Sequence, residues 1–356
     1  MSDMLCAVLN KAGEVVLERR PIPTPGPGEV LVRIKRVGVC GSDVHYYTHG
    51  HIGNHVVRSP MILGHEASGE IVALGPDVKA RQVGERVALE PGWTCGKCAF
   101  CKSGHYNLCP DVVFLATPPY DGAFREYVAW PASYCFPLPN NMSYEDGAMM
   151  EPLAVGLWAV ERGQVRPGDS VAIFGSGTIG LMTLEAARAA GASTRFAVDI
   201  ADYRLEHARR LGATHVINDR DGSALDTIRE VTGQALGCGP AAAGVDVAFE
   251  TAGSLITTRN VMAATRPGGV AVLVGLPPDA MVELDIVSAA SKEIDIRGQF
   301  RYANRYPRGI ALASGGQIDV TSLVTHHFSL EKAEEALQFA DQRKDIALKV
   351  MVDVCD

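Results

Sequence analysis

The sequence predicts an α/β protein in two parts, a mostly β N-terminal domain followed by a layer sandwich built on a parallel sheet. Three observations carry this reading. Residues 1 to about 150 are rich in Gly and Pro, and turn signals such as PTPGPGE separate short apolar runs such as EVLVRIKRVGVC and ERVALEP. That texture reads as short strands and loops. From about Val155, strand-like runs alternate with Ala- and Leu-rich helical stretches, which implies parallel strands joined by crossover helices. The first of those runs also leads through a glycine-rich turn directly into a helix.

Taken in chain order, the expected strands of the second part are SVAIF, TRFAVDI, THVIN, VDVAFE, GVAVLVG and IDIRGQF. Helices such as GLMTLEAARAAG and DYRLEHARRLGA lie between them. The tail SLEKAEEALQFADQRKDIALKVMVDV predicts a helix and a final strand. The chain's 356 residues suffice for two domains, each able to bury a core, and 47% apolar against 21% charged residues is a globular balance. A net charge of −8 without a basic run argues against nucleic acid. Apolar stretches such as VAVLVG are too short to span a bilayer. The N-terminus shows no export signal, so the cytoplasm is the expected compartment. Nine cysteines, an odd number with four clustered, do not resemble a disulfide framework.

The glycine-rich turn is Gly175-x-Gly177-x-x-Gly180. Such a pattern is weak alone, but here it sits between a strand and a helix, as dinucleotide binding requires. Gly175 permits the tight turn, Gly177 the approach of a pyrophosphate, and Gly180 close packing of helix and strand, with the phosphates on the helix N-terminus. Nineteen residues beyond Gly180, the next strand ends in Asp199, placed to accept hydrogen bonds from an adenosine ribose. A carboxylate there repels a 2′-phosphate and favours NAD; nearby Arg204 argues the other way, for NADP. Val274, Gly275 and Leu276 fall at a strand's carboxyl end, where a nicotinamide is expected.

Four thiols stand in CGKCAFCKSGHYNLC, at Cys95, Cys98, Cys101 and Cys109. Short thiolate spacings of this kind suit tetrahedral zinc, with an iron–sulfur cluster as the rival. Four thiolates fill a tetrahedral shell, so a zinc in this lobe, residues 91–112, is expected to be structural. Cys40 in VGVCGSDVH, His65 and Glu66 in LGHEASGE, and Glu151 in MMEPLAVG offer the donors of a second, open site. A lone Cys is more often a small buried hydrophobe, and spacing alone leaves that site undecided.

GHEASGE, CGSDVHYY, the four-Cys lobe, EPLAVG and GSGTIG occur in an order and at intervals that resemble the zinc-dependent medium-chain dehydrogenases over essentially the whole chain. FLATPPYDGAF and GQFRYANRYP are closer to the polyol (sorbitol and xylitol) group than to simple alcohol dehydrogenases. The resemblance implies a GroES-like catalytic domain (1–154 and 296–356), a Rossmann cofactor domain (155–295) and an active site in the cleft between them. It implies a catalytic zinc on Cys40, His65 and Glu66. Glu151 stands where alcohol dehydrogenases carry a cysteine ligand, so whether it or Glu66 is the direct third ligand stays open. Asp43 is implied as the acid that orients the ligand histidine, and water or Glu151, then Ser42 and His45, as a proton relay. Tyr46, Phe114, Thr117, Arg301 and Tyr302 are implied around the substrate, with Glu151. Ile179, Gln299, Phe300 and Arg301 are implied at the cofactor, and the assembly is implied to be a homotetramer.

The expected reaction is oxidation of a secondary hydroxyl of a polyol to a ketose with reduction of NAD, of the L-iditol 2-dehydrogenase or D-xylulose reductase type, using two zinc ions per chain. Alternatives are an NAD-dependent zinc alcohol or threonine-type dehydrogenase, or a zinc-free reductase of the same fold. Cys6, Cys135, Cys238 and Cys355 receive no role.

Overall fold

The structure is a computed structural model, and it describes residues 3–236, 242–277 and 281–355. Cys238 lies outside the described residues. The chain divides into two compact units. The first comprises Met1–Glu151, Tyr306–Gly316 and Val320–Asp356; the second comprises Pro152–Arg305 and Gln317–Asp319.

The first unit is mostly β. Its main sheet runs in the order Cys135–Pro137, Arg86–Leu89, Glu66–Leu74, Glu29–Gly38, Lys349–Asp353 and Val324–Ser329, and Tyr127–Pro131 also pairs with Glu29–Gly38. The C-terminal strand is therefore built into the sheet of the N-terminal residues. Val30, Val32, Ile34, Ile71, Val87, Leu89 and Val352 fill its core. Glu66 opens its strand opposite Gly38, and Gly38 is flanked on its other side by Met351. A Cβ on Gly38 would stand 2.0 Å from Glu66 Oε2, so the absence of a side chain there makes room for the carboxylate.

The second unit holds a six-stranded sheet in the order His215–Asn218, Thr194–Asp199, Ser170–Phe174, Val245–Glu250, Thr265–Leu273 and Asp295–Gly298, parallel at every pairing. These are the six runs expected. The order reverses direction around the first strand of the unit, which creates the switch point at which α/β sheets bind ligands beyond their carboxyl ends. The boundary expected at residues 295 and 296 lies instead at Arg305 and Tyr306. The physical reason is local: Asp295–Gly298 pairs with Thr265–Leu273, Gln299 bonds Val155, and Arg305 bonds Glu161 at 2.9 Å. Gln317–Asp319 also joins this unit, where the Asp319 amide donates to Glu185. Among the described residues no helix is long and apolar enough to cross a membrane.

Candidate metal centres and cofactor site

The four-thiol lobe hangs from the strand pair Gly92–Trp93 and Val113–Phe114. Cys98 caps the short helix Ala99–Lys102, and its sulfur accepts from the Cys101 amide at 3.4 Å. No disulfide forms among these thiols. Their sulfurs all lie within 4.8 Å of one another, with Cys98–Cys101 at 3.4 Å and Cys95–Cys101 at 3.9 Å. A tetrahedron with arms of ~2.3 Å has edges of about 3.8 Å, so the quartet fits a zinc ion. Backbone amides of Lys97 and Cys98 pull the Cys95 thiol down to about 7.

Cys40, His65 and Glu66 come together in the first unit, their donor atoms all within 4.8 Å of one another. One thiol, one imidazole and one carboxylate leave a tetrahedral ion one open position, the arrangement of a catalytic zinc. Cys40 immediately precedes the helix Gly41–His49, and Asp43 in its first turn ties the region together. Asp43 accepts from the Cys40 amide and the Gly64 amide, both at 3.0 Å, and stands 3.6 Å from His65 Nδ1. It thus orients the ring from behind. Burial opposes charge on His65, but Asp43 and Cys40 outweigh it and hold the imidazole well above its ordinary range. An incoming metal must displace that proton.

The other residues implied for this centre are distributed around it. Glu151 lies outside the three-donor set, buried, and close enough to Glu90 and Lys349 to act on both electrostatically. Ser42 is half-buried and His45 exposed, one turn apart on the same helix face. Tyr46 and Phe114 are buried, Thr117 is partly exposed, and the Phe114 ring lies 5.6 Å from that of His65.

In the second unit, Gly175 takes φ +102°, and a Cβ there would press on Ala252 at 2.8 Å. A Cβ on Gly180 would fall 1.8 Å from the Gly175 carbonyl oxygen. Around Gly177, by contrast, no described atom lies within 4 Å of the Cβ position. The first and third glycines serve packing, and the second leaves the backbone open at the N-terminus of the helix Thr178–Ala189, a seat for phosphate. Ile179 belongs to that helix's first turn. Asp199 accepts from the Ser176, Ile200 and Ala201 amides at 2.7, 2.8 and 3.0 Å, and Arg204 Nη1 stands 3.7 Å away. Beyond the neighbouring strands, Leu276 and Phe300 are exposed, and the Arg301 guanidinium lies 4.7 Å over the Phe300 ring. Gln299 reaches the Val155 and Arg301 carbonyls, whereas Tyr302 is buried. Val274 and Gly275 are held by their amides to the Glu250 carbonyl at 2.9 and 3.0 Å.

Residues 26–140 match the family model "Alcohol dehydrogenase GroES-like domain", and residues 178–315 match "Zinc-binding dehydrogenase". The sorbitol dehydrogenase of Bacillus subtilis (strain 168) is 47% identical over 350 residues, spanning 98% of this chain and 97% of the relative. The chain belongs to the zinc-dependent medium-chain dehydrogenase family, in its polyol dehydrogenase group. Solved members of similar fold include an oxidoreductase/dehydrogenase of unknown specificity involved in membrane biogenesis from Escherichia coli, at TM-score 0.93 and 37% identity over 100% of both chains. Another is a zinc-binding dehydrogenase from Sinorhizobium meliloti 1021 bound to NADP, at TM-score 0.90 and 30% identity over 99% of this chain and 100% of that one.

Among the buried charged residues of this dehydrogenase that escape sequence reasoning, three lie close to the sites just described. Lys349, in the last strand, bonds both oxygens of Glu66. Burial opposes its charge, but Glu66 and Cys40 outweigh that and raise its affinity for a proton. Glu90 accepts from the Tyr106 hydroxyl of the lobe at 2.7 Å, and burial pushes its carboxyl to about 7. Glu250 ends its strand by accepting from the Ala252 and Gly253 amides and the Thr257 hydroxyl. In the one-dimensional pattern each is a single charge beside an apolar run, which ordinarily reads as a solvated position.

Proposed function

We propose that this polyol dehydrogenase oxidises a secondary hydroxyl of a sorbitol- or xylitol-type substrate to the ketose and reduces NAD, with two zinc ions per chain. The observation that carries the reading is the convergence of Cys40, His65 and Glu66, a three-donor set distinct from the closed thiol quartet. The identity to a sorbitol dehydrogenase supports the substrate class. When bound, zinc at the three-donor site supplies Lewis acidity toward the hydroxyl oxygen, and NAD supplies the hydride acceptor.

The chain's own residues do the rest. Asp43 holds the His65 ring so that it presents one nitrogen. Water or the Glu151 carboxylate takes the hydroxyl proton, and the Ser42 hydroxyl, accepting one proton as it donates its own, passes the charge to the His45 ring, whose exposure opens the route to solvent. Tyr46 and Phe114 provide a polar partner and an apolar wall. The Asp199 carboxylate supports NAD over NADP, because a 2′-phosphate beside it places like charges together. A homotetramer is the assembly we expect, and Asp295–Gly298, at the edge of its sheet, is available for pairing.

Elemental analysis joined to activity on sorbitol plus NAD tests this reading. Two zinc ions per chain are expected, and C40S should retain one ion and NAD binding while losing turnover. One ion per chain, with turnover indifferent to chelation, would overturn the catalytic metal site and the reading built on it.

A further inference from the structure

Glu66 is held by a buried ammonium group. Lys349 Nζ lies 2.7 Å from Glu66 Oε1 and 2.6 Å from Oε2, and its third bond goes to the Val39 carbonyl oxygen at 3.0 Å. All three donors of the ammonium are used. Both side chains are almost fully buried, at 4% and 1% exposure. The main sheet enforces the geometry: Lys349 starts the strand beside Glu29–Gly38, and Glu66 starts the strand on its other side.

Near-equal distances to the two oxygens place Nζ close to the bisector of the carboxylate. A metal ion chelated by both oxygens would take that same position. With the position filled by Lys349, an ion between Cys40 and His65 meets only an outer lone pair on a single oxygen of Glu66. Charge acts in the same direction. An ionised Cys40 and Glu66 bring two negative charges to the site, and Lys349 offsets one of them at hydrogen-bond range, where water screens little.

We infer that Lys349 is a positioning residue that acts through Glu66, limiting it to one-oxygen ligation and weakening the hold on the catalytic ion. The inference rests on the metal site proposed above. A buried ion pair of this kind ordinarily reads as structural support, and removing one partner of such a pair usually destabilises a protein. The two roles predict opposite effects on metal affinity. Loss of a structural support loosens the site, whereas loss of a competing cation frees the second oxygen and tightens it.

The test uses the full chain with its four-thiol ion in place. Zinc, and separately cobalt(II) as a spectroscopic probe, are titrated into the second site of the parent and K349M against a competing chelator. We expect K349M to bind the second ion at least tenfold more tightly and to release it more slowly. Its cobalt form should show weaker visible absorption, as an added oxygen ligand moves the ion away from four-coordination. K349Q, uncharged but able to donate one hydrogen bond to Glu66, serves if K349M does not fold, and retention of the four-thiol ion reports folding. Unchanged or weaker binding of the second ion, with the parent taking up two, overturns the inference alone. A parent that takes up only one ion overturns the metal site and the inference with it.

Discussion

Glu185 sits within the helix Thr178–Ala189, where its side chain is fully buried. Its Oε1 accepts from Arg188 Nη2 at 2.9 Å and from the Asp319 amide at 3.1 Å, while Oε2 finds no partner among the described residues. Burial pushes the carboxyl up to about 7, from 4.5 in an open chain. The folded state therefore keeps a proton that the unfolded chain has already released. Below pH 4.5 both states hold it and nothing is lost. Between 4.5 and about 7 stability falls with rising pH, at about 1.4 kcal/mol per pH unit. Above 7 the full cost, up to about 3 kcal/mol, is carried. Glu185→Gln removes the titration and keeps an oxygen for the Asp319 amide. It forfeits the ion pair with Arg188, whose side chain is 41% exposed, a loss of at most about 1 kcal/mol. The variant should thus match the parent within about 1 kcal/mol at pH 5 and exceed it by about 2 kcal/mol at pH 8. Urea unfolding of both proteins at the two pH values measures this, and comparing variant with parent at each pH cancels every other titrating group. An offset of the same size at pH 5 and pH 8 would refute the reasoning, since Glu185 would then be ionised in the folded state without penalty.

The cofactor unit offers two further tests. Gly180→Ala places a Cβ 1.8 Å from the Gly175 oxygen, which the turn cannot absorb without moving; NAD affinity by fluorescence titration should fall at least tenfold, while both metal ions are retained. Asp199→Ala removes the acceptor of three backbone amides and the charge that repels a 2′-phosphate. It should weaken NAD and narrow the preference over NADP by tenfold or more, read as the ratio of kcat/KM values, because the carboxylate no longer repels the phosphate. An unaltered ratio would mean that the ribose is read elsewhere.

The parallel sheet was legible in the sequence because each strand is a short apolar run bounded by turn residues, and all six runs appear as strands. The glycine loop was legible because its meaning is local: a strand, a turn and a helix that follow one another directly, from Ser170 to Ala189. The thiol quartet was legible for the same reason, as four donors within fifteen residues need little beyond their own loop to meet. The domain boundary was not. Residues 299–305 follow the last parallel strand, and contacts with Val155, Trp158 and Glu161, more than a hundred residues earlier, help attach them to the second unit.

The open metal site lies between these cases. Cys40, His65 and Glu66 are individually unremarkable residues on separate segments, and motif resemblance, not spacing, proposed that they meet. The structure brings their donor atoms together because adjacent strands of one sheet end at the same level. That sheet also carries Lys349, nearly three hundred residues from Glu66, into the same interior point. Composition and local pattern thus determined the elements, the glycine turn and the thiol lobe, whose physics is short-range. Which charges share a buried space, and so how firmly a metal would be held and which carboxyl groups keep their protons, was decided only by the tertiary structure. Desolvation and Coulomb energy depend on distances through space, and the order of residues along the chain does not contain them.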